Sequence, residues 1–359
     1  MDRVREVFQE QLTRYGGGAR LAVFQHGQLL LDVWGGRKSN DQEWDEATLA
    51  YCASCTKGVT NVCVARLVDQ KVLCYDAPIR NVWPEFRDAT LTLSELLTHR
   101  GGLIYFEEMI DFPLEALETC SGPAWEEWVA FLARQPAVPE ARGQIAYHAV
   151  TVGFYVSALI FKATGESLRA FYEREIRAPF QVNFFIGGVQ GHEAQLGRVL
   201  PSRVKEKRRP TSLLAARTYQ PMNGMSGFFK LRNCESPSHI GWGTGRSLAW
   251  LWQLVVADRL ISPATRLQAA EPVCKTESDL VNQDPLELTR GGFMLMDCIT
   301  GHRDTFGHTG MGGQFSFCDP RYGLSVGYTC NAFMNDSRPR QRELTAAIYA
   351  ALDAMTAKL

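Results

Sequence analysis

The sequence predicts an α+β fold in which a sheet is built from both ends of the chain. Apolar residues alternate with a period of two near the amino terminus and again after about residue 285. Between about residues 123 and 260 the apolar residues instead follow the period of a helix. Strands at both ends around a helical middle are typical of a sheet lobe that carries an inserted helical lobe. We therefore expect one domain over residues 1–359, with a sheet lobe at about 1–75 and 285–359 and a helical lobe at about 76–284.

The first 40 residues supply the amino-terminal part of the expected sheet lobe. Residues 2 to 14 place Val4, Phe8 and Leu12 on one side of a predicted helix, which the three glycines at 16–18 end. The runs 21–25 and 29–34 are rich in apolar residues and are separated by His26-Gly27-Gln28. This pattern predicts a β-hairpin.

The segment Y-C-A-S-C-T-K-G-V-T-N-V-C-V-A-R-L-V, residues 51 to 68, predicts a buried helix with a reactive pair at its start. Ser54 and Lys57 are three residues apart, and this spacing puts them on one helix face. A lysine whose pKa is lowered by burial can take the proton of a serine hydroxyl and make it a nucleophile. The unpaired N–H groups of the first helical turn also favour negative charge at that position.

The remaining elements follow from capping and turn signals. Thr92 or Ser94 caps a short helix that we expect to end at Gly101-Gly102. Asp319-Pro320-Arg321-Tyr322-Gly323 is typical of a turn between two strands. The further predicted helices are 125–132, 151–164, 168–176, 246–257 and 340–355, and the further predicted strands are 291–296, 314–318 and 324–329.

Composition excludes several classes of partner. The 359 residues include 45% hydrophobic residues and carry a formal net charge of -1, so there is no overall field for nucleic acid or an anionic membrane. No run of about 18 apolar residues is present, which excludes a predicted membrane span. The first residues lack the apolar core of a signal peptide, so we expect a cytoplasmic protein. A small-molecule ester or amide substrate fits this nearly neutral net charge best. Nothing in the sequence requires a metal or cofactor.

Two sequence patterns are interpreted as structural. The ten cysteines are scattered, which is typical of a reducing compartment, and Cys52 and Cys55 are interpreted as small buried residues beside Ser54 rather than a redox or zinc pair. The basic run at residues 203–210 is interpreted as a solvated loop.

Two further segments supply candidate catalytic groups. Tyr147, in G-Q-I-A-Y-H-A-V-T-V-G, precedes a predicted helix, and its phenol can act as a general acid or base if nearby ammonium groups lower its pKa. The glycine-rich stretch F-G-H-T-G-M-G-G, residues 306 to 313, stands at the head of a strand and allows backbone N–H groups to approach a ligand. The N–H groups of Ser54 and Met311 are therefore our candidates for an oxyanion hole.

These segments in this order resemble the serine β-lactamase and penicillin-binding-protein superfamily, and most closely the family VIII carboxylesterases. The resemblance also covers L-L-T-H-R-G-G-L and D-P-R-Y-G-L-S-V-G-Y-T-C-N and so spans nearly the whole chain. It implies a β-lactamase/transpeptidase-like fold, with an antiparallel sheet flanked by helices. It also implies that Ser54 is acylated, that Lys57 is its base and that Tyr147 shuttles a proton. His308, Thr309 and Gly310 occupy the place of the K-T-G motif and are expected to bind substrate.

Two departures from the resemblance bear on the substrate. Ala149 stands where penicillin-active relatives commonly have the asparagine of Y-x-N, and His308 replaces the lysine of K-T-G. A histidine is largely neutral at pH 7, so the cation that would meet a substrate carboxylate is weakened. Both changes favour a neutral ester or small amide over a β-lactam.

One competing motif is set aside. Gly323-Leu324-Ser325-Val326-Gly327 matches G-x-S-x-G, but that nucleophile elbow requires a strand, a sharp turn and a helix, whereas residues 326–329 continue a strand. The sequence therefore predicts a serine hydrolase that acts through an acyl-enzyme on Ser54, and it favours an esterase for small neutral esters. A transacylase, a β-lactamase, a D-amino-acid peptidase and an inactive scaffold or binding protein remain alternatives.

Overall fold

A computed structural model describes residues 1–107, 112–205, 212–220 and 229–357. Most of the basic run at 203–210 therefore lies outside the described residues. The strands are β1 Gly18–Gln25, β2 Gln28–Gly36, β3 Ala50–Tyr51, β4 Phe184–Ile186, β5 Leu200–Pro201, β6 Gly241–Gly243, β7 Pro272–Thr276, β8 Leu286–Thr289, β9 Met294–Leu295, β10 Phe306–Thr309, β11 Phe315–Asp319, β12 Leu324–Cys330 and β13 Ala332–Phe333.

Seven of the described α-helices follow one another between β3 and β4. The α-helices in the described residues are α1 Asp2–Tyr15, α2 Cys55–Asp69, α3 Leu93–Leu97, α4 Leu114–Thr119, α5 Gly122–Arg134, α6 Thr151–Thr164, α7 Leu168–Tyr172, α8 Ala178–Phe180, α9 Leu213–Tyr219, α10 Gly245–Val256, α11 Pro263–Ala270, α12 Asp297–Thr300 and α13 Arg338–Thr356.

The main sheet has eight strands in the order β2-β1-β12-β11-β10-β9-β8-β7, and all neighbouring pairs are antiparallel. The amino-terminal hairpin pairs with β12 from the far end of the chain, with Leu21 opposite Tyr328 and Val23 opposite Val326. The predicted α+β sheet built from both termini is therefore confirmed.

Alternation along β1 places helices on both faces of the sheet. Leu21 and Val23 point to one face, where they pack with Val4 and Phe8 of α1 and with Ile348 of α13. The intervening residues Ala22 and Phe24 point to the opposite face and pack against Ala249 of α10. Each face of the sheet is thus covered by helices, and the amphipathic pattern of α1 follows from this position.

Close contact between α10 and the sheet depends on two glycines. A Cβ added at Gly327 would lie 2.1 Å from the Gly245 carbonyl oxygen, and one added at Gly245 would lie 2.4 Å from the Arg20 carbonyl oxygen. The helix therefore approaches the sheet backbone more closely than any side chain at these positions allows.

The helical lobe is packed around aromatic side chains. Phe106 contacts the rings of Trp128 in α5 and of Phe154 and Tyr155 in α6. Helix α6 ends, as predicted, at Gly165, which is in the left-handed conformation. Helix α2 is buried along most of its length between this lobe and the sheet, so the start of α2 lies where the two lobes meet.

Most predicted elements are present, and the differences have local causes. Thr92 caps α3 in a capping box with Glu95, but the helix ends at Leu97 rather than at the glycines 101–102, since Thr98 leaves the helical conformation. Helix α7 ends at Tyr172 and continues as a π-helical turn, Glu173–Arg177.

The carboxy-terminal part of the sheet differs more from the sequence prediction. The strand expected at residues 291–296 is reduced to Met294–Leu295, because Gly292 adopts a positive φ in the turn that follows β8. The sheet also begins at Pro272, before the expected start of its second part at about residue 285. Among the described helices, none has the length and apolar character that crossing a bilayer requires.

Substitution of Gly327 tests the contact between α10 and the sheet. We expect Gly327→Ala to lower the free energy of unfolding by about 1–3 kcal/mol, because the new methyl group overlaps the Gly245 carbonyl and the helix must move. Urea denaturation measures this change. Gly197→Ala is the matched control, since its Cβ would meet only ordinary contacts at 3.6 Å. Equal stability of the two variants would contradict this account of the packing.

Candidate active site

Ser54 lies at the turn between β3 and α2, immediately before the first helical residue. The turn is fixed from both sides, because the Cys52 N–H donates to the Gly241 carbonyl at 2.8 Å and the Thr56 hydroxyl donates to the Ala53 carbonyl at 2.6 Å. Ala53 has a φ of 46°, which is unusual for a residue with a side chain. Such a conformation is commonly retained at functional sites. The structure therefore holds Ser54 in one orientation at the start of the helix.

Lys57 lies one turn further along α2, and its side chain is 3% exposed. Its Nζ is 3.4 Å from Ser54 Oγ, 2.6 Å from the Ala149 carbonyl oxygen and 2.9 Å from the Ser238 carbonyl oxygen. Burial lowers the pKa of Lys57 well below the usual value for lysine, since the interior penalises the charged form. The structure thus brings the predicted nucleophile and base together.

Three oxygen atoms lie within hydrogen-bonding distance of Lys57 Nζ, which donates to the carbonyls of Ala149 and Ser238 and to Ser54 Oγ. An ammonium has three N–H donors and no acceptor, whereas a neutral amine has two N–H groups and one lone pair. When Lys57 loses a proton, the two carbonyls can still accept its N–H groups, because they can only accept. Its lone pair then faces the Ser54 hydroxyl, and the direction of that third hydrogen bond is reversed.

Tyr147 lies before α6 and is also brought to Ser54. It lines the same cavity as Ser54, and its ring lies 4.9 Å from Lys57 Nζ. The ring packs edge-on against His99 at 4.6 Å between centroids, and the Tyr147 N–H donates to Asp279 Oδ1 at 3.1 Å. Both contacts hold the phenol in the site.

The lowered pKa that a role of Tyr147 as a base would need is not found. Burial instead raises the pKa of this phenol, and the interaction with Ser54 offsets only part of that effect. The physical reason is that the interior penalises the charged phenolate. Tyr147 is therefore protonated at neutral pH and can donate a proton but is not a resident base.

Ser54 and Met311 both line the same cavity. Neither of their backbone N–H groups has a hydrogen-bond partner among the residues that the structure describes. Gly310 and Gly313 close a turn around Met311, with the Gly313 N–H donating to the Gly310 carbonyl at 3.1 Å. The two N–H groups therefore stay the candidates for an oxyanion hole, which requires donors that are free to bind substrate.

The cavity in front of Ser54 has a volume of about 400 Å³. Thr309 and Gly310 line it beside Ser54, Tyr147 and Met311, as predicted for a substrate-binding strand. A large part of its wall is apolar and flexible. The apolar lining residues include Tyr51, Val150, Leu286, Met294, Ile299 and Met334.

Two predicted site residues, Lys57 and His308, do not lie on the wall of this cavity. Because side chains alternate along β10, the side chain of Thr309 faces the cavity and that of His308 faces α2. His308 is 1% exposed there. Its Nδ1 lies 2.6 Å from the Thr309 carbonyl oxygen. Burial, with a contribution from Lys57, lowers the pKa of His308 to about 3, so this imidazole is neutral at physiological pH.

Sequence reasoning missed the residues that fix the Tyr147 segment. Asp279 is buried and accepts from the N–H groups of Tyr147, Val281 and Asn282 at 2.9 to 3.1 Å. His239 and Tyr219 also line the cavity. No local pattern could have indicated Asp279, since its partner Tyr147 is 132 residues away in the chain.

The C-x-x-C pair and the G-x-S-x-G motif have structural roles. Cys52 and Cys55 are buried free thiols, and burial raises the pKa of both. Ser325 is fully buried within β12, and its hydroxyl donates to Gln253 Oε1 at 3.4 Å. Neither pattern therefore supplies a reactive group to the cavity.

Comparison with known proteins shows the family of the chain. Residues 4–350 match the Beta-lactamase family, so the chain belongs to that family. The chain is 26% identical over 363 aligned residues to Esterase/beta-lactamase LipL of Mycobacterium tuberculosis, an alignment that covers 90% of this chain and 78% of LipL.

Solved structures show the same fold. A penicillin-binding protein homolog from Caulobacter crescentus superposes with a TM-score of 0.86 at 25% identity, covering 98% of this chain and 97% of that one. A family VIII carboxylesterase superposes with a TM-score of 0.83 at 24% identity, covering 97% and 96%. The resemblance inferred from the motifs and the β-lactamase/transpeptidase-like fold are thus confirmed. The protein is a serine hydrolase of the beta-lactamase fold with an esterase among its relatives.

The protonation of Lys57 predicts how activity depends on pH. We expect kcat/KM to fall toward acid, because proton uptake by Lys57 removes the lone pair that receives the Ser54 proton. Since burial lowers the pKa of Lys57, this decline lies well below the pH at which a free lysine titrates. Ester hydrolysis measured from pH 4.5 to 9 gives the profile.

His308→Gln is the control for this profile. Because the pKa of His308 is already about 3, its removal is expected to leave the acidic decline in place above pH 5. If the decline disappeared in His308→Gln, the titrating group would be His308 and the assignment to Lys57 would be wrong.

Proposed function

We propose that this protein is an esterase that hydrolyses small neutral esters through an acyl-enzyme on Ser54. The observation that carries the proposal is the buried amine of Lys57, whose two N–H groups are taken by carbonyls while Ser54 Oγ lies 3.4 Å away. A neutral amine in this position is a general base for the hydroxyl.

The proposed reaction begins with proton transfer from Ser54 to Lys57 as the serine oxygen attacks the ester carbonyl. The N–H groups of Ser54 and Met311 stabilise the oxyanion that forms. The phenol of Tyr147 donates a proton to the leaving alcohol, and the proton held by Lys57 restores the phenol. Water then attacks the acyl-enzyme with the same groups in the same roles, which releases the acid.

The charges around the cavity support a neutral substrate. The imidazole of His308 is uncharged and turned away, so it gives no cation for a substrate carboxylate. At the mouth, Arg338 is paired with Asp336 at 3.1 Å and with Asp284 at 3.6 Å. The methionine side chains of the wall adapt to acyl groups of different shape, since methionine is unbranched and flexible.

A β-lactamase activity is the second candidate, because the name of LipL includes it. Two features of this site count against it. Ala149 contributes only its carbonyl, which Lys57 occupies, and supplies no side-chain amide to a β-lactam. The neutral His308 also leaves no cation in the place of the K-T-G lysine.

Removal of the nucleophile tests the proposed function. We expect Ser54→Ala to lower kcat for p-nitrophenyl acetate or butyrate by about 10⁴-fold or more, because no other group can form the acyl-enzyme. The matched control is Ser325→Ala, which removes a buried hydroxyl remote from the cavity. A fluorophosphonate probe is expected to label Ser54 in the wild type and in Ser325→Ala.

Full turnover by Ser54→Ala would place the nucleophile elsewhere. Failure of the wild type to hydrolyse any ester or to react with the probe would instead favour the inactive scaffold. Product analysis with competing alcohols separates an esterase from a transacylase.

Removal of the Tyr147 hydroxyl tests its role as proton donor. We expect Tyr147→Phe to lower kcat by about 10²- to 10⁴-fold, since the leaving alcohol loses its acid. The ring contacts with His99 and Lys57 remain in this variant, so the fold is expected to be unchanged. Esters of acidic phenols should be affected less than alkyl esters, because their leaving groups need no proton. An equal loss for both kinds of ester would contradict a role in leaving-group protonation.

A further inference from the structure

Arg340 is a buried charged residue behind the turn that carries the Met311 N–H. It belongs to α13 and is 1% exposed. Its Nη2 donates to the Gly312 carbonyl at 2.6 Å and lies 3.1 Å from Cys330 Sγ, and its Nη1 donates to the Ala332 carbonyl at 3.3 Å. Among the described residues, no carboxylate forms an ion pair with it.

A buried guanidinium without a carboxylate is costly, so its retention requires a reason. The surroundings of Arg340 reduce that cost, since its guanidinium lies 5.2 Å from the ring centroid of Tyr15 and 5.6 Å from that of Tyr328. The turn at residues 310–313 also leaves space for the guanidinium of Arg340. A Cβ added at Gly313, whose φ is +119°, would lie 1.6 Å from Arg340 Nη2.

The hydrogen bonds of the turn determine where the Met311 N–H points. The Gly310 N–H donates to the Gln314 carbonyl at 2.7 Å, and the Gly310 carbonyl accepts from the Gly313 N–H at 3.1 Å. Because the C=O and N–H of a trans peptide point in opposite directions, a Gly310 carbonyl held inside the turn aims the Met311 N–H outward. The Gly312 carbonyl, two residues further on, accepts from Arg340 at 2.6 Å and, at longer distances, from the Met334 N–H at 3.4 Å and Cys330 Sγ at 3.6 Å.

We propose that Arg340 is a positioning residue for the oxyanion hole. By holding the Gly312 carbonyl, its guanidinium directs the N–H of the same peptide, that of Gly313, at the Gly310 carbonyl, and so fixes the turn that aims the Met311 N–H. Two glycines with positive φ, Gly312 and Gly313, give this turn little conformational preference of its own. Gln341 reaches the neighbouring carbonyls of Gly313 and Gln314 only at 3.4 Å, so its contacts are weaker. This inference rests on the proposed function, since the oxyanion is that of ester hydrolysis.

Substitution of Arg340 tests the inference in the whole protein. We expect Arg340→Met to lower kcat for a p-nitrophenyl ester by about 10²-fold, the loss found when one oxyanion donor is removed, and to change KM less than threefold. Affinity for a boronic acid that mimics the oxyanion should fall in parallel with kcat/KM. Arg340→Lys keeps the charge and one donor and should recover part of the loss.

Ile348→Ala is the control for a merely structural role, because Ile348 is a buried residue of α13 that packs against the sheet. We expect this variant to lose thermal stability while keeping kcat within about twofold. The positioning role would be overturned if Arg340→Met lost stability but kept kcat. It would also be overturned if kcat and KM changed in Arg340→Met no more than they change in Ile348→Ala.

A second measurement does not depend on ester turnover. The Gly310 and Gly313 amides are hydrogen bonded within the turn, and their hydrogen exchange is expected to be at least about tenfold faster in Arg340→Met than in Ile348→Ala. Equal exchange in the two variants would overturn the inference even if the protein is an esterase. Faster exchange with no esterase activity in the wild type would instead support the role of Arg340 in holding the turn and reject the proposed function.

Discussion

The burial of one lysine amine between two backbone carbonyls is the constraint on which the rest of the site depends. Lys57 loses its hydration inside the protein, and only groups that accept its N–H bonds can compensate. The carbonyls of Ala149 and Ser238 do so, and each belongs to a different segment of the chain. The lowered pKa of Lys57, the raised pKa of Tyr147 and the lowered pKa of His308 follow from the same low polarity, because burial disfavours the charged form of each group.

Much of the buried polar structure serves to hold those two carbonyls in place. The Ser238 hydroxyl accepts from the Gly153 N–H at 2.6 Å, and the Thr60 hydroxyl donates to the Pro237 carbonyl at 2.9 Å. Glu235, at the start of this segment, accepts from the Ser157 hydroxyl and from the Arg169 N–H. These bonds join the segment to α2, α6 and α7, so the position of the Lys57 amine is set by helices of the inserted lobe.

The sheet contributes the opposite wall of the site. Gln314 Nε2 donates to the Tyr51 carbonyl at 2.7 Å, which ties the residues before Ser54 to the end of the 310–313 turn. Asn331 has a comparable role behind β1, where its side chain accepts from the Gly18 N–H and donates to the carbonyls of Arg37, Lys38 and Arg198. Both amides are buried and bonded on more than one side, which favours a single arrangement of the loops around the cavity.

The sequence by itself determined the fold class, most of the strands and helices, and the segments that carry Ser54, Lys57, Tyr147 and the glycine-rich turn. These features are local, because periodicity, capping residues and motif spacing are properties of neighbouring positions. It misjudged features that depend on burial or on distant contacts, among them the direction of the Tyr147 pKa shift, the side of β10 on which His308 lies, and the contributions of Asp279 and Arg340. Only the tertiary structure decided these, since the solvation of a group and the identity of its partners arise when segments more than 100 residues apart come together.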